Sequence, residues 1–156
     1  MAQPRNVIVD ADVLRCAFRP KDPNPGKQLK AVRELRALAM NLQDRVYYTP
    51  LVKVEFLAHV SGEFRRKAEK FIGECIAIRI YEDDYGKVIG MIDTLRDDAF
   101  TNPETGKKET CASGGVVDNL NTMFALRFGF ELLGTDKAYR RHRRHFGEKL
   151  RLVPLE

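Results

Sequence analysis

The alternation of hydrophobic and polar residues predicts short strands separated by amphipathic helices. Apolar runs predict strands at 7–9, 46–48, 76–80, 130–133 and 150–153. Apolar residues three or four positions apart predict helices at 13–18, 28–42, 50–60, 63–75, 116–128 and 137–145, and one more that Asp83 or Asp84 caps. This alternation favours an α/β fold with a mainly parallel central sheet, formed as a single domain over residues 1–156.

Local signals indicate where several of these elements begin and end. Thr49-Pro50 predicts a helix start, with Thr49 as the N-cap and Pro50 in the first turn. Gly129 is a suitable C-cap for the helix before it. Residues 19–27 and 101–115 are rich in Pro, Gly and polar residues, so we predict loops there, the second of them long and exposed.

The distribution of charge along the chain bears on function as well as on fold. The chain carries a net charge of +5, and residues 137–151 hold seven Lys and Arg residues against the single acid Glu148. Such a block indicates either a polyanionic partner such as RNA or an ordinary solvated helix face. If the partner is RNA, the residues expected to contact its phosphates are Arg140, Arg141, Arg143 and Arg144.

Composition narrows the class of protein further. No apolar run approaches the roughly 18 residues that a membrane span needs, and no apolar segment follows the N-terminus, so we expect a cytoplasmic protein without membrane association. The three cysteines are far apart, and the three histidines show no zinc-ligand spacing with them. We therefore expect Cys16, Cys75 and Cys111 to be ordinary reduced thiols.

Four carboxylates come at positions where a parallel sheet usually places its functional groups. Asp10 follows the first strand and Asp136 follows the fourth, so both are expected at one edge of the sheet. Glu55 lies on an apolar helix, where an unpaired buried carboxylate would be costly. Asp118 lies near the start of its helix. Asp118 and Asp136 also have a simpler interpretation, as a first-turn acid and a helix N-cap.

Carboxylates gathered in one place repel one another, and a bound divalent cation removes that repulsion. Mg²⁺ and Mn²⁺ prefer oxygen ligands, and they promote phosphodiester hydrolysis by polarising a phosphate and activating water. The chain has no Gly-rich phosphate loop, which disfavours a nucleotide-hydrolysing enzyme, and no Ser–His or Cys–His arrangement that would indicate a covalent intermediate.

The residues around these acids resemble the four acidic motifs of PIN domains. The matching segments are Asp10-Ala11-Asp12-Val13-Leu14, Glu55-Phe56-Leu57, Val116-Val117-Asp118-Asn119-Leu120 and Leu132-Leu133-Gly134-Thr135-Asp136. The resemblance covers nearly the whole chain. It implies a three-layer PIN-like domain with a five-stranded parallel sheet, and a metal-dependent ribonuclease similar to the VapC-type toxins of toxin–antitoxin pairs.

On this basis we expect an endoribonuclease that uses Mg²⁺ or Mn²⁺ to cleave RNA. Glu55 would bind the ion through water or orient the attacking water, and the direct ligands would be Asp10, Asp118 and Asp136. The resemblance also implies a cognate antitoxin and a homodimer. Asp12 takes the place of a small polar residue near the site, and Gly134 falls where the family commonly has Thr or Ser.

Other interpretations of the same features remain open. The chain could be an inactive PIN-like module that binds RNA or a protein partner. It could also be a phospho-acceptor domain, but such a domain needs a Lys at the end of a late strand, and Lys137, which follows Asp136, has a different setting. Four apolar residues in 50–75 either provide surface for association or belong to the core: Phe56, Leu57, Phe64 and Phe71.

Overall fold

The computed structural model describes residues 3–112 and 114–155, and the predicted domain 1–156 reaches beyond them only at 1–2, 113 and 156. The strands are β1 (Asn6–Val9), β2 (Arg45–Tyr48), β3 (Ile76–Ala77), β4 (Ala99–Thr101), β5 (Lys108–Thr110), β6 (Glu131–Gly134) and β7 (Arg151–Pro154). The helices are α1 (Ala11–Ala17), α2 (Pro25–Met40), α3 (Pro50–Ala58), α4 (Glu63–Glu74), α5 (Glu82–Arg96), α6 (Val116–Phe128) and α7 (Asp136–Phe146).

The main sheet has five strands in the order β3-β2-β1-β6-β7, and all of its neighbouring pairs are parallel. Strand β1 is central, with Ile8 opposite Tyr47 on one side and Leu132 on the other. Helices cover both faces, because the crossover between parallel strands places a helix against the sheet. The predicted α/β class, with a five-stranded parallel sheet between helical layers, is confirmed.

Two apolar cores lie on opposite faces of this sheet, as the alternation of side chains along β1 requires. Val7 and Val9 belong to one core, with Leu14 and Phe56, whereas Ile8 belongs to the other, with Leu132. For the four apolar residues in 50–75 the sequence leaves two alternatives, association surface or core; one of them belongs to the first core, and three pack against it and stay partly exposed. Phe56 is fully buried, and the residues packed against that core include Leu57, Phe64 and Phe71.

Several helix termini follow the predicted rules, and others differ for identifiable reasons. Thr49 caps α3, and Gly129 ends α6 with a φ of +67°, both as predicted. Helix α2 begins at Pro25, inside the predicted loop, because Asn24 caps it and proline suits the first helical turn. The N-cap of α5 is Tyr81, and of the two predicted caps Asp84 contributes through a capping box, in which its side chain accepts from the Tyr81 N–H at 2.8 Å.

The two largest departures from the predicted elements concern strands. Residues 101–115 were predicted as a loop, but β4 and β5 pair as an antiparallel hairpin, with Thr101 opposite Lys108. The third strand of the main sheet is shorter than 76–80 and ends at Ala77, although the Ile78 N–H still donates to the Tyr48 carbonyl at 2.8 Å. Among the described residues, none of the helices has both the length and the apolar character to cross a membrane.

Candidate metal centre

The central strand brings Asp10 to the carboxyl edge of the sheet. The Asp10 N–H donates to the Leu133 carbonyl at 3.0 Å, which fixes the backbone beside β6. The Asp10 side chain caps α1 and accepts a hydrogen bond from the Ala11 N–H at 2.9 Å. Only 3% of Asp10 is exposed, so this carboxyl is held at the edge of the sheet with little contact with water.

Four carboxylates from α3, α6 and the start of α1 lie close enough for their charges to interact. Asp12, in the first turn of α1, raises the pKa of both Asp10 and Asp118. Glu55, exposed on α3, raises the pKa of Asp118, which lies in the first turn of α6. Asp12 also forms an ion pair with Arg15. The structure therefore places Asp118 within electrostatic range of Asp10, Asp12 and Glu55. Among the described residues, no three of these carboxylates have oxygens that all lie within 4.8 Å of one another.

Burial and mutual repulsion make two of these carboxyls resist ionisation. Burial, followed by repulsion from Asp118 and Asp12, raises the pKa of Asp10 to about 8. Burial, followed by repulsion from Asp12 and Glu55, raises the pKa of Asp118 to about 6. A divalent cation would favour the ionised forms, and a donor set of carboxylate oxygens fits Mg²⁺ or Mn²⁺.

A buried hydrogen-bond network links Asp10 to side chains of α6 and α7. Asn121 on α6 donates from Nδ2 to the Tyr139 hydroxyl at 3.0 Å and to Asp10 Oδ1 at 3.3 Å. The Asn121 amide oxygen has no hydrogen-bond partner within the described residues, although buried acceptors usually have one. An unpaired acceptor on an amide that touches Asp10 fits a site that takes up water or a hydrated ion.

Tyr139 on α7 is fully buried beside the carboxylates. Burial, with the charges of Asp10 and Asp118, raises the pKa of its hydroxyl well above the ordinary value, so the phenol stays protonated. The Tyr139 hydroxyl in turn opposes the rise in pKa of both carboxyls, because it favours their charged forms. Tyr139 is therefore a neutral positioning group for Asp10 and Asp118.

Neither Tyr139 nor Asn121 is among the predicted site residues. The glycine at position 134 is the one feature of the sequence that indicates a close neighbour there, which in the structure is Tyr139. A Cβ atom built on Gly134 would lie 2.5 Å from Cε2 of the Tyr139 ring, so the ring packs directly against the β6 backbone. Glycine within a strand often marks the close approach of another group. The absence of a side chain at Gly134 leaves room for the tyrosine ring.

Asp136 lies just beyond the end of β6 but pairs with a cation of its own helix. Its carboxylate accepts a hydrogen bond from Arg140 Nε at 3.0 Å. The interpretation of Asp136 as the N-cap of α7 is wrong, because Thr135 is the cap and its hydroxyl accepts from the Ala138 N–H. The structure thus groups Asp10 with Asp12, Glu55 and Asp118, and pairs Asp136 with Arg140.

The β4–β5 hairpin lies along the basic helix α7. Arg140 Nη1 donates to Glu104 Oε1 at 2.6 Å, and Arg141 Nε donates to Glu109 Oε2 at 3.2 Å. Two of the four arginines expected to contact RNA are therefore paired with acids of the hairpin. The helix face next to Asp136 is less positive than the sequence alone indicates.

The other two arginines of this group differ in their surroundings. The Arg144 guanidinium stacks over the Phe100 ring, 4.7 Å from its centroid, so it also contacts the hairpin. Arg143 is exposed on α7. A polyanion could reach Arg143 directly, but it would compete with hairpin contacts at Arg140, Arg141 and Arg144.

Fold and site together define the class: an α/β domain with an acidic, oxygen-rich site at the carboxyl edge of a parallel sheet. No protein-family model matches the chain, and no curated protein matches it either. The site itself and the four motifs are therefore what indicates a function.

Proposed function

We propose that this chain is a PIN-like, metal-dependent endoribonuclease that hydrolyses RNA at the acidic edge of its sheet. The observation that supports this most strongly is the group formed by Asp10, Asp12, Glu55 and Asp118, in which two carboxyls have raised pKa values. A buried carboxylate beside other negative charges, such as Asp10, is costly to ionise unless a counter-ion joins the group. The resemblance of the four motifs to PIN domains supplies RNA as the substrate.

Asp10 and Asp118 would hold Mg²⁺ or Mn²⁺, and Asp136 would join them by exchanging its bond to Arg140 for the ion. The chemistry that the ion supplies is polarisation of the scissile phosphate and a lower pKa for the attacking water. Glu55, exposed on α3, would bind the ion through water or orient the attacking water.

Two buried residues would orient the carboxylates that bind the ion, without contacting the substrate themselves. Asn121 donates to Asp10, and Tyr139 presents a protonated hydroxyl to Asp10 and Asp118. Residues that orient metal ligands typically contribute about 10–100-fold in affinity or activity. Tyr139→Phe should therefore slow cleavage by roughly that factor, whereas loss of Asp10 or Asp118 should cost more.

The RNA would approach along α7, whose arginines begin one turn from Asp136. Arg140, Arg141, Arg143 and Arg144 would contact phosphates, which position a nucleic acid without reading its sequence. Replacing Arg140 and Arg144 by Ala should weaken binding to many RNAs, flatten the salt dependence by about 0.7 per lost contact, and leave the cleavage sequence unchanged. Unchanged binding and salt slope would identify this basic run as a solvated face.

The motif resemblance extends the proposal to biological context. A VapC-type toxin would act in the cytoplasm, form a homodimer and be inhibited by a cognate antitoxin protein. Phe56 is fully buried and cannot contribute to a dimer contact, whereas Leu57, Phe64 and Phe71 pack against the core and stay partly exposed.

The decisive experiment incubates the pure protein with cellular RNA, with and without Mg²⁺ or Mn²⁺, and sequences the new ends. Wild type should cleave only with metal, and Asp10→Asn and Asp118→Asn should lose cleavage while keeping the wild-type circular dichroism. Asp83→Asn, which removes an exposed carboxylate on α5, is the matched control and should cleave normally.

Two outcomes would contradict the proposal in different ways. Cleavage that survives in both Asp10→Asn and Asp118→Asn, after contaminating nucleases are excluded, would place the active site elsewhere. RNA binding without cleavage at any metal concentration would favour the inactive PIN-like binding module.

A further inference from the structure

A second group of metal-ligand side chains lies at the other end of α7, at the base of the hairpin. Among the described residues, Asp98, Cys111 and His145 have ligand atoms that all lie within 4.8 Å of one another. His145 Nδ1 is 2.7 Å from Asp98 Oδ2, and the Cys111 thiol donates to the same oxygen at 3.3 Å. None of the three belongs to the proposed nuclease site.

The backbone holds these three groups in place from separate elements. Asp98 lies between α5 and β4, Cys111 directly follows β5, and the Cys111 N–H donates to the Asp98 carbonyl at 3.0 Å. His145 lies in the last turn of α7, where a positive charge is favoured by the helix dipole. The group therefore joins the two ends of the hairpin to the C-terminal end of the basic helix.

We propose that Asp98, Cys111 and His145 bind Zn²⁺ through Oδ2, Sγ and Nδ1, and that the ion holds the β4–β5 hairpin against α7. Thiolate, imidazole and carboxylate are the ligands that Zn²⁺ takes in proteins. Tetrahedral zinc would separate nitrogen from oxygen by about 3.4 Å and sulfur from oxygen by about 3.6 Å, given ordinary zinc–ligand lengths. The observed separations need to widen by less than an ångström.

The three side chains differ in exposure, which leaves the solvent side of the group open to a fourth ligand. Cys111 is fully buried, whereas the side chains of Asp98 and His145 are 37% and 28% exposed, so water can complete the coordination from the solvent side. The thiolate and carboxylate together balance the charge of Zn²⁺. The guanidinium groups of Arg141 and Arg144 also face this group and favour its ionised forms.

The same surroundings disfavour a nucleophilic role for Cys111. Reactive cysteines have lowered pKa values and partly exposed thiols. Burial, together with the hydrogen bond to Asp98, raises the pKa of Cys111 to about 11. The thiol contacts the carboxylate instead of the imidazole, so no Cys–His pair is formed to activate it. A metal ligand, deprotonated when the ion binds, suits this position better.

The test uses Co²⁺ and Zn²⁺ on the full chain after treatment with a chelator. Wild type should bind Co²⁺ with a thiolate-to-cobalt absorption band, and one equivalent of Zn²⁺ should remove the band and raise the melting temperature. Cys111→Ser and His145→Asn should lose the band. Cys75→Ser is the control, because it removes a partly buried thiol outside this group, and it should keep the band.

A parallel arm separates this site from the proposed nuclease centre. Asp118→Asn should abolish RNA cleavage and leave the cobalt band unchanged, so each proposal can fail alone. Absence of the band in wild type, or its persistence in Cys111→Ser, would show that Asp98, Cys111 and His145 form only a hydrogen-bonded group. His145→Asn changes a partly exposed residue, so it gives a folded variant for the same comparison if Cys111→Ser does not fold.

Discussion

Replacing Asp10 by Asn should make the stability of the metal-free protein less dependent on pH above neutrality. The folded-state pKa of Asp10 is raised from its ordinary value of 3.8 to about 8. Folding therefore takes up a proton over this range, and the free energy of unfolding falls as pH rises towards 8. Each pKa unit corresponds to about 1.4 kcal/mol. Asn keeps a side-chain oxygen that can accept from the Ala11 N–H, so the cap of α1 survives.

The pH range that isolates the effect of Asp10 lies above the pKa values of two other groups, His142 and Asp118. Burial, with smaller effects of Arg141 and His145, lowers the pKa of His142 from 6.5 to about 4, so His142 costs stability as pH falls through that range. Burial, with the charges of Asp12 and Glu55, raises the pKa of Asp118 to about 6. Between pH 6.5 and 8 Asp10 is therefore the main cause of change, and wild type should lose roughly 1–2 kcal/mol relative to Asp10→Asn.

Urea denaturation at several pH values in this window, with a chelator present, measures the difference. The wild-type and Asp83→Asn curves should fall together, while the Asp10→Asn curve should fall less. Added Mg²⁺ should reduce the loss in wild type and leave Asp10→Asn unchanged, because the ion favours the ionised carboxyl. Equal pH slopes for wild type and Asp10→Asn in the chelated samples would refute the assignment of Asp10 as a carboxyl forced towards its neutral form.

Three further substitutions test separate parts of the structure. Gly134→Ala should destabilise the fold by roughly 1–3 kcal/mol in urea denaturation, because the new methyl group meets the Tyr139 ring; an unchanged midpoint would mean that the ring moves freely. Thr49→Ala should cost about 1 kcal/mol in the same assay through loss of the α3 cap, and no loss would show that the cap is dispensable. Glu104→Gln should remove one of the two acidic partners of Arg140, which keeps its bond to Asp136, and increase RNA affinity at low salt in a filter-binding assay, whereas unchanged affinity would exclude competition by Glu104.

The sequence predicts those parts of the fold and site that depend on local patterns. The apolar run at 7–9 and the caps at Thr49 and Gly129 are local signals, and each has the predicted structure. The grouping of Asp10 and Asp118 is also accessible, because each acid sits at an element end whose place in a parallel sheet follows from the order of strands and helices.

Features that depend on long-range packing cannot be predicted from local patterns in the sequence. Tyr139 joins the site through its contact with a glycine of β6, and no spacing in the sequence indicates which ring will fill that gap. Asp98, Cys111 and His145 are separated by 13 and 34 positions, which matches no metal-binding motif. The hairpin is not evident from the sequence because its strands have only three residues each, β5 is polar, and contacts with α7 hold the hairpin in place.

The two outer strands of the main sheet limit how copies of the protein can associate. Strand β3 has only two residues, and β7 ends at Pro154, which has no N–H to donate. Short outer strands and proline both discourage the addition of a further strand from another molecule. Extension of the sheet across two copies, and the fibrous aggregation that such templating permits, are therefore disfavoured. A homodimer would therefore form through surfaces other than the edges of the main sheet.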